Sequence, residues 1–237
     1  RALQTLKQLV RKGIGEVGNI HGFNLPHFIK ITHDEPNFKH RGVLIDTGRQ
    51  YISIELIKRT IRNMGSVKLN VLHWHLIDMH VFPFKPNEPY DSLFDLGDAE
   101  DPNNLKHDPY TIDVIKDIIN FAHYCGVRVI IELDSPGHTY AGWINSDEYS
   151  DLLICHEQKH QSRTYAQEPP AGSLNIRQPE EGVVVIGDPD RVKNIFTGLF
   201  RQLFDNGYKD DYIHLGGDES KPKCILNADS EEYLKEL

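Results

Sequence analysis

Four short stretches of this chain carry residue types that could act together on a substrate. The last of them, "YIHLGGDES" from Tyr212 to Ser220, sets two carboxylates, Asp218 and Glu219, side by side after two glycines. On a regular strand, neighbouring side chains face opposite ways. Gly216 and Gly217 relieve that constraint, because glycine tolerates φ values closed to other residues, so the chain can turn both acids to one side. Two close carboxylates split their pKa values, leaving one as an acid while the other is charged. The same pair also suits the first turn of a helix, with Pro222 close to its start. The stretch alone leaves both readings open.

The second stretch is "HWHLID", His73 to Asp78. His73 and His75 alternate, so both point to one side of a strand, as in metal-binding barrels. A hydrogen-bonded pair lining a polar pocket suits them better, since no third ligand or H-E-x-x-H motif accompanies them. Trp74 faces the other way and is assigned to packing. In "ELDSPGH", Pro136 and Gly137 dictate a tight turn that returns His138 toward Asp134, a carboxylate able to fix its tautomer and raise its basicity; an Asx-turn with an exposed His is the alternative. Arg41, just before the strand of "KHRGVLIDTG", offers a guanidinium fork for vicinal hydroxyls or a carboxylate if the strand brings it to the pocket.

These residues need a scaffold, and the hydrophobic pattern supplies one. Val43 to Ile45 form a short apolar run ending in Asp46 and Gly48. Ile54, Ile57, Ile61 and Met64 repeat with helical spacing, with Ser53 as N-cap and Gly65 as the stop. Val67 to Leu76 read as a second strand, and "YTIDVIKDIINFAHYCG" as a second helix from Thr111 to Gly126. Val127 to Asp134 form a third strand whose nearly continuous apolar run suits burial on both faces. A long polar insert, roughly 140–182, precedes a third helix capped near Asp188 and stopped at Asn206-Gly207. "YIHL" is predicted as the fourth strand, and the "NADSEEYLKEL" tail as the start of another helix.

Strand and helix alternate four times, which implies right-handed parallel β/α units. Every cluster named above except Arg41 lies at the C-terminal end of a strand, where (β/α)8 barrels build their active sites. A doubly wound sheet would also gather ligands there, but no Gly-rich phosphate loop follows an early strand. The expected fold is therefore α/β, a (β/α)8 TIM barrel of which the first four β/α units are present.

Composition sets the limits. The 237 residues are 39% hydrophobic and 26% charged, with a formal net charge of −9, as in globular proteins generally. The negative balance argues against nucleic acid or anionic membrane as the main partner, and no apolar run reaches the roughly 18 residues of a membrane-spanning helix. The chain opens "RALQTLKQLV", which reads as the middle of a helix and suggests a start inside a larger protein. The three cysteines form no C-x-x-C pair. Cys125, where a helix meets a strand, reads as a buried free thiol; Cys155 and Cys224 lie in polar connections, where a disulfide would need an oxidising compartment.

With "RGVLIDTGR", "KLNVLHWHLID", "FPF", "GVRVIIELDSPGHT" and "IHLGGDE" in this order, the chain resembles the catalytic domain of β-N-acetylhexosaminidases, glycoside hydrolase family 20, most closely the eukaryotic lysosomal type. The resemblance runs from Arg41 to Glu219. It implies that residues 1–40 are the last helix and strand of a small non-catalytic α+β domain, and that 41–237 are the N-terminal half of the barrel. It further implies a retaining, substrate-assisted hydrolysis of terminal non-reducing N-acetyl-β-D-hexosamine, in which the acetamido oxygen forms an oxazolinium ion. Glu219 would be the acid and then the base, Asp218 would hold the acetamido group, and Arg41 would bind the sugar's 3- and 4-hydroxyls. Asp78, Asp134 and His138 would form the supporting network. A Cys155–Cys224 disulfide, no cofactor or metal, a lysosomal or secreted location, and glycolipid, glycoprotein or chitooligosaccharide partners follow in the same way. So does the option of a homo- or heterodimer of the full-length protein.

Two features depart from the family pattern. Where it reads "HWHxxDDQSFP", this chain has "HWHLIDMHVFP", with Met79 and His80 in place of acidic and polar residues. The pocket tryptophans and acids of later strands are missing, so the isolated chain is expected to have open sheet edges and little activity. A non-catalytic relative, acting as a carbohydrate-binding or subunit-partner protein, is the rival reading.

Overall fold

The computed structural model of the chain describes residues 3–5, 11–14, 20–24, 32–96, 108–154, 173–174 and 188–217. Strands β1 (Arg11–Ile14) and β2 (Ile20–Asn24) pair antiparallel as a separate two-stranded sheet. The N-terminal region thus holds a hairpin where a single strand was expected.

The sheet that matters is three-stranded and parallel, in the order β3 (Gly42–Asp46), β4 (Val71–Ile77) and β7 (Arg128–Leu133). Between β4 and β7 come two short paired strands, β5 (Phe84–Lys85) and β6 (Tyr110–Thr111). A further antiparallel pair, β8 (Leu153–Ile154) with β9 (Ser173–Leu174), lies beyond them. Helices α1 (Ile54–Ser66), α2 (Ile112–Tyr124) and α3 (Pro189–Asp205) follow the three parallel strands in turn. Each begins at its expected cap: Ser53 accepts from the Leu56 N–H, Thr111 from Val114 and Asp188 from Arg191. Such caps satisfy amides that the first helical turn leaves unpaired. Helix α1 runs one residue past Gly65, and the left-handed residue after it is Lys68, at φ +65°.

One face of the sheet packs on the helices. Leu72 and Trp74 of β4 and Val129 and Ile131 of β7 are buried with Ile57, Ile61 and Met64 of α1 and Ile115, Ile118 and Ala122 of α2. Trp74 belongs to this core; its indole N–H donates to Thr47 Oγ1 at 2.9 Å and its ring meets Tyr110 edge-on. The opposite face carries His73, His75 and Glu132, together with Leu44, which is 54% exposed.

Two expectations change. The "polar insert" is core at its start: Ala141, Trp143, Tyr149, Leu152 and Leu153 are buried, and Trp143 stacks on Phe196 of α3 at 5.9 Å. A large indole at this position supplies the apolar surface that α3 needs on its inner side. The fourth strand is reduced to one parallel bridge, Glu132 to His214. Residues 213–215 do run beside β7, with His214 N–H donating to Ile131 O and Leu133 N–H donating to His214 O. Gly216 and Gly217, at φ +64° and +85°, then end the ladder.

Candidate active site

The titratable side chains gather at the C-terminal ends of the parallel strands. The strand register explains the first contacts: Asp46, His75 and Glu132 are direct neighbours across β3, β4 and β7. His75 and Asp78 are three apart, so in a regular strand they would face opposite sides. An irregularity between His75 and Ile77 inserts one residue relative to β7. That extra residue reverses the alternation, and His75 Nε2 lies 2.8 Å from Asp78 Oδ2.

Asp78 is fully buried and is the hub. Its Oδ1 accepts the Met79 N–H at 2.6 Å and faces His138 Nδ1 at 3.2 Å. Its Oδ2 takes His75 and Arg49, the latter at 3.3 Å. The His80 ring stands 3.7 Å from Oδ1. Burial alone would raise the Asp78 pKa, but the hydrogen bonds from His138 and His75 hold it far below the usual carboxylate range. His75 shows the converse. Burial disfavours its charge, yet Asp78 on one ring nitrogen and Glu132 on the other raise its pKa to about 10. Both ring nitrogens face carboxylate oxygens, an arrangement that favours the imidazolium. Glu132 is held below its ordinary value against burial, chiefly by the His75 bond.

His138 sits at φ +57°, a strained setting for a non-glycine residue, at the end of the Pro136-Gly137 turn. That turn brings the imidazole over the strand ends as expected, and Asp78 is the carboxylate facing its Nδ1. Asp134 has a different bond: its Oδ1 accepts the Gly217 N–H at 3.2 Å. Burial pushes the Asp134 pKa up to about 6. The three expected supporting residues Asp78, Asp134 and His138 are thus brought together.

Arg41 is not. It precedes β3 and so lies at the opposite, N-terminal end of the strand from Asp46. Its guanidinium donates to the carbonyls of Lys68 and Phe38, tying down the chain before and after α1. The arginine at the cluster is Arg49. Asp46 Oδ1 accepts the amides of Gly48 and Arg49 and its Oδ2 takes the guanidinium at 2.7 Å, while Asp78 holds the other branch. Burial opposes the Arg49 charge, but these carboxylates raise its pKa above the ordinary value. The signal was present in the sequence: Arg49 follows the strand's C-terminal end by three residues, and Arg41 precedes its start. Glu132 and His214, which join the cluster beside β4, lie in the quoted "ELDSPGH" and "YIHLGGDES" stretches at strand ends, but no spacing singled them out as partners.

Asp218, Glu219, Cys155 and Cys224 lie outside the described residues. Gly217, the last described residue, bonds to Asp134 and fixes the chain directly before the adjacent acids. Cys125 is a free, half-buried thiol.

Residues 38–235 match the model of the Glycosyl hydrolase family 20 catalytic domain. The chain belongs to this family. A relative from Ostrinia furnacalis, a chitooligosaccharidolytic beta-N-acetylglucosaminidase, is 36% identical over 201 residues, 83% of this chain and 30% of that protein. The human beta-hexosaminidase subunit beta is 32% identical over 192 residues, covering 81% of this chain and 30% of its own length. The family 20 chain described here therefore spans less than a third of either relative. Among solved structures, the family 20 exo beta-N-acetylglucosaminidase from Vibrio harveyi aligns with a TM-score of 0.64 at 22% identity, over 99% of this chain and 35% of its own. The beta-N-acetylhexosaminidase from Streptomyces coelicolor gives 0.66 at 21% identity, over 94% and 42%. At that identity these likenesses bear on the fold, and they agree with an α/β architecture.

Proposed function

We propose that the full-length protein carrying this chain hydrolyses terminal non-reducing N-acetyl-β-D-hexosamine residues with retention, through an oxazolinium ion formed by the substrate's own acetamido group. The observation that carries this reading is the Gly217–Asp134 bond. It ties the chain to the buried Asp78–His138 cluster one residue before the adjacent acids, in a chain of this family. Glu219 protonates the leaving oxygen and later activates water; Asp218 orients the acetamido group and stabilises the positive charge on its nitrogen. Arg49 takes the sugar-hydroxyl role first expected of Arg41, since Asp46 and Asp78 clamp its guanidinium at the strand ends while its side chain stays 46% exposed. Asp78, His75 and His138 fix the charge balance behind it.

On this reading, residues 41–237 supply the first four units of a (β/α)8 barrel and residues 1–40 the end of a preceding α+β domain. A Cys155–Cys224 disulfide and a lysosomal or secreted location belong to the same proposal. The substrate class follows from the relatives' names: chitooligosaccharides, or glycans ending in N-acetylhexosamine. The test is to assay the full-length protein on an aryl N-acetyl-β-glucosaminide beside the plain glucoside, with Glu219→Gln and Asp218→Asn. The proposal expects activity confined to the N-acetylated substrate and a large kcat loss in both variants. Comparable turnover of the plain glucoside would sink acetamido participation, and full activity in Glu219→Gln would remove the proposed acid.

A further inference from the structure

On the same sheet face as the Asp78 cluster lies a second group of side chains that the proposed chemistry does not use. His73 stands two residues before His75 on β4, Glu132 is the neighbour of His75 on β7, and His214 bridges to Glu132 from the far side. Their donor atoms converge: His73 Nε2, a Glu132 carboxylate oxygen and a His214 ring nitrogen all lie within 4.8 Å of one another. His73 Nε2 contacts Glu132 Oε2 directly, and His214 Nδ1 is 3.2 Å from Glu132 Oε1. The two rings sit 4.8 Å apart, tilted by 44°. Ligands at about 2.0–2.1 Å from a tetrahedral zinc ion stand roughly 3.3 Å from each other, so only small side-chain movements would complete the set.

Proton bookkeeping also points to a cation. His214 Nδ1 accepts the Gly216 N–H at 3.1 Å, which places the ring proton on Nε2. The 3.2 Å approach to Glu132 is then acceptor facing acceptor, an arrangement that a positive ion relieves. The lone pair now shared with Gly216 would turn to that ion. The His73 and His214 rings flank the Glu132 carboxylate, which is buried beneath them. The neighbouring trio His75, Asp78 and Asp134 also converges, but it is buried and belongs to the Asp78 cluster.

We propose that His73, Glu132 and His214 form a binding site for a divalent transition-metal ion of the zinc type. Two imidazoles and one carboxylate are a donor set that suits zinc and disfavours magnesium or calcium, which prefer all-oxygen shells. The site shares Glu132 with the Asp78 cluster through His75, but its ligands include neither Asp218 nor Glu219, so zinc binding and hydrolysis can fail separately.

The experiment is calorimetric titration of zinc into the chelator-treated full-length protein, with cobalt absorption in the visible as a report of ligand geometry. The expected result is one site in the wild type, weakened by about 100-fold or more in His214→Ala and in His73→Ala. Thermal unfolding read in parallel should show zinc stabilising the wild type and leaving His214→Ala unmoved. Absence of binding up to about 1 mM zinc, or wild-type affinity in His214→Ala, would overturn the proposal. So would binding that is lost in His75→Ala while both other variants keep it. His214 joins β7 through a single bridge, which keeps its variant informative if His73→Ala does not fold.

Discussion

Replacing Gly216 by Ala tests how the chain is delivered to the adjacent acids. A Cβ on Gly216 would fall 1.8 Å from Asp134 Oδ1, 2.5 Å from its Cγ and 3.2 Å from Glu132 Oε1. Relief needs a movement of about 1 Å between the 213–217 segment and the Asp134 carboxylate, which β7 holds in place. The residue also sits at φ +64°, costing about 1–2 kcal/mol for any side chain. Losing the Gly217 N–H bond to buried Asp134 adds about 1.5–3 kcal/mol. Gly217→Ala is the matched control. It shares a left-handed φ, +85°, but its Cβ would meet nothing nearer than Ser135 O at 3.5 Å. Urea unfolding should therefore show Gly216→Ala destabilised by about 3–5 kcal/mol and Gly217→Ala by about 1–2 kcal/mol. In the hydrolysis assay, a 1 Å displacement of the segment before Asp218 should lower kcat by about 10²-fold, with a smaller effect in the control. Equal losses in the two variants would refute the clash argument, because the backbone cost is common to both.

Three further outcomes follow from the same geometry. Arg49→Ala should reduce kcat/KM by about 10²-fold with little change in unfolding, whereas Arg41→Ala should leave kinetics unchanged and cost about 1–3 kcal/mol in stability; the reverse pattern would restore Arg41 to the site. Trp143→Ala should cost about 3–5 kcal/mol in urea unfolding, as its fully buried ring packs on Phe196 and Tyr149. Buried Tyr208, whose hydroxyl accepts the Ile131 N–H and donates to Tyr212 O, has its pKa pushed up by burial to about 12. The unfolded chain ionises near 10, so stability from this group is intact below pH 10 and falls between 10 and about 12. Tyr208→Phe should flatten that part of the pH–stability curve while lowering stability near neutrality, and an unchanged alkaline slope would count against the assignment.

The alternation of elements, the three helix caps and the buried stripes of α1 and α2 were legible in the sequence because they rest on local periodicities of about 2 and 3.6 residues. So was the gathering of Asp46, the "HWHLID" and "ELDSPGH" stretches at strand ends. The tertiary structure decided which side chains meet. Arg41 and Arg49 flank one short strand, and only its direction in the sheet separates the arginine bound to loop carbonyls from the one bound to Asp78. The extra residue after His75 reverses side-chain parity and brings Asp78 to the same pocket, although nothing in "HWHLID" marks a bulge. His138 was expected against Asp134 and faces Asp78, which arrives from another strand. Glu132 and His214 acquire partners through strand register, and Trp143 becomes core because α3 packs over a segment whose composition is that of a loop. Local patterns fix which elements form; contacts between residues about 60 or 80 positions apart depend on how those elements pack, information that no window of neighbouring residues contains.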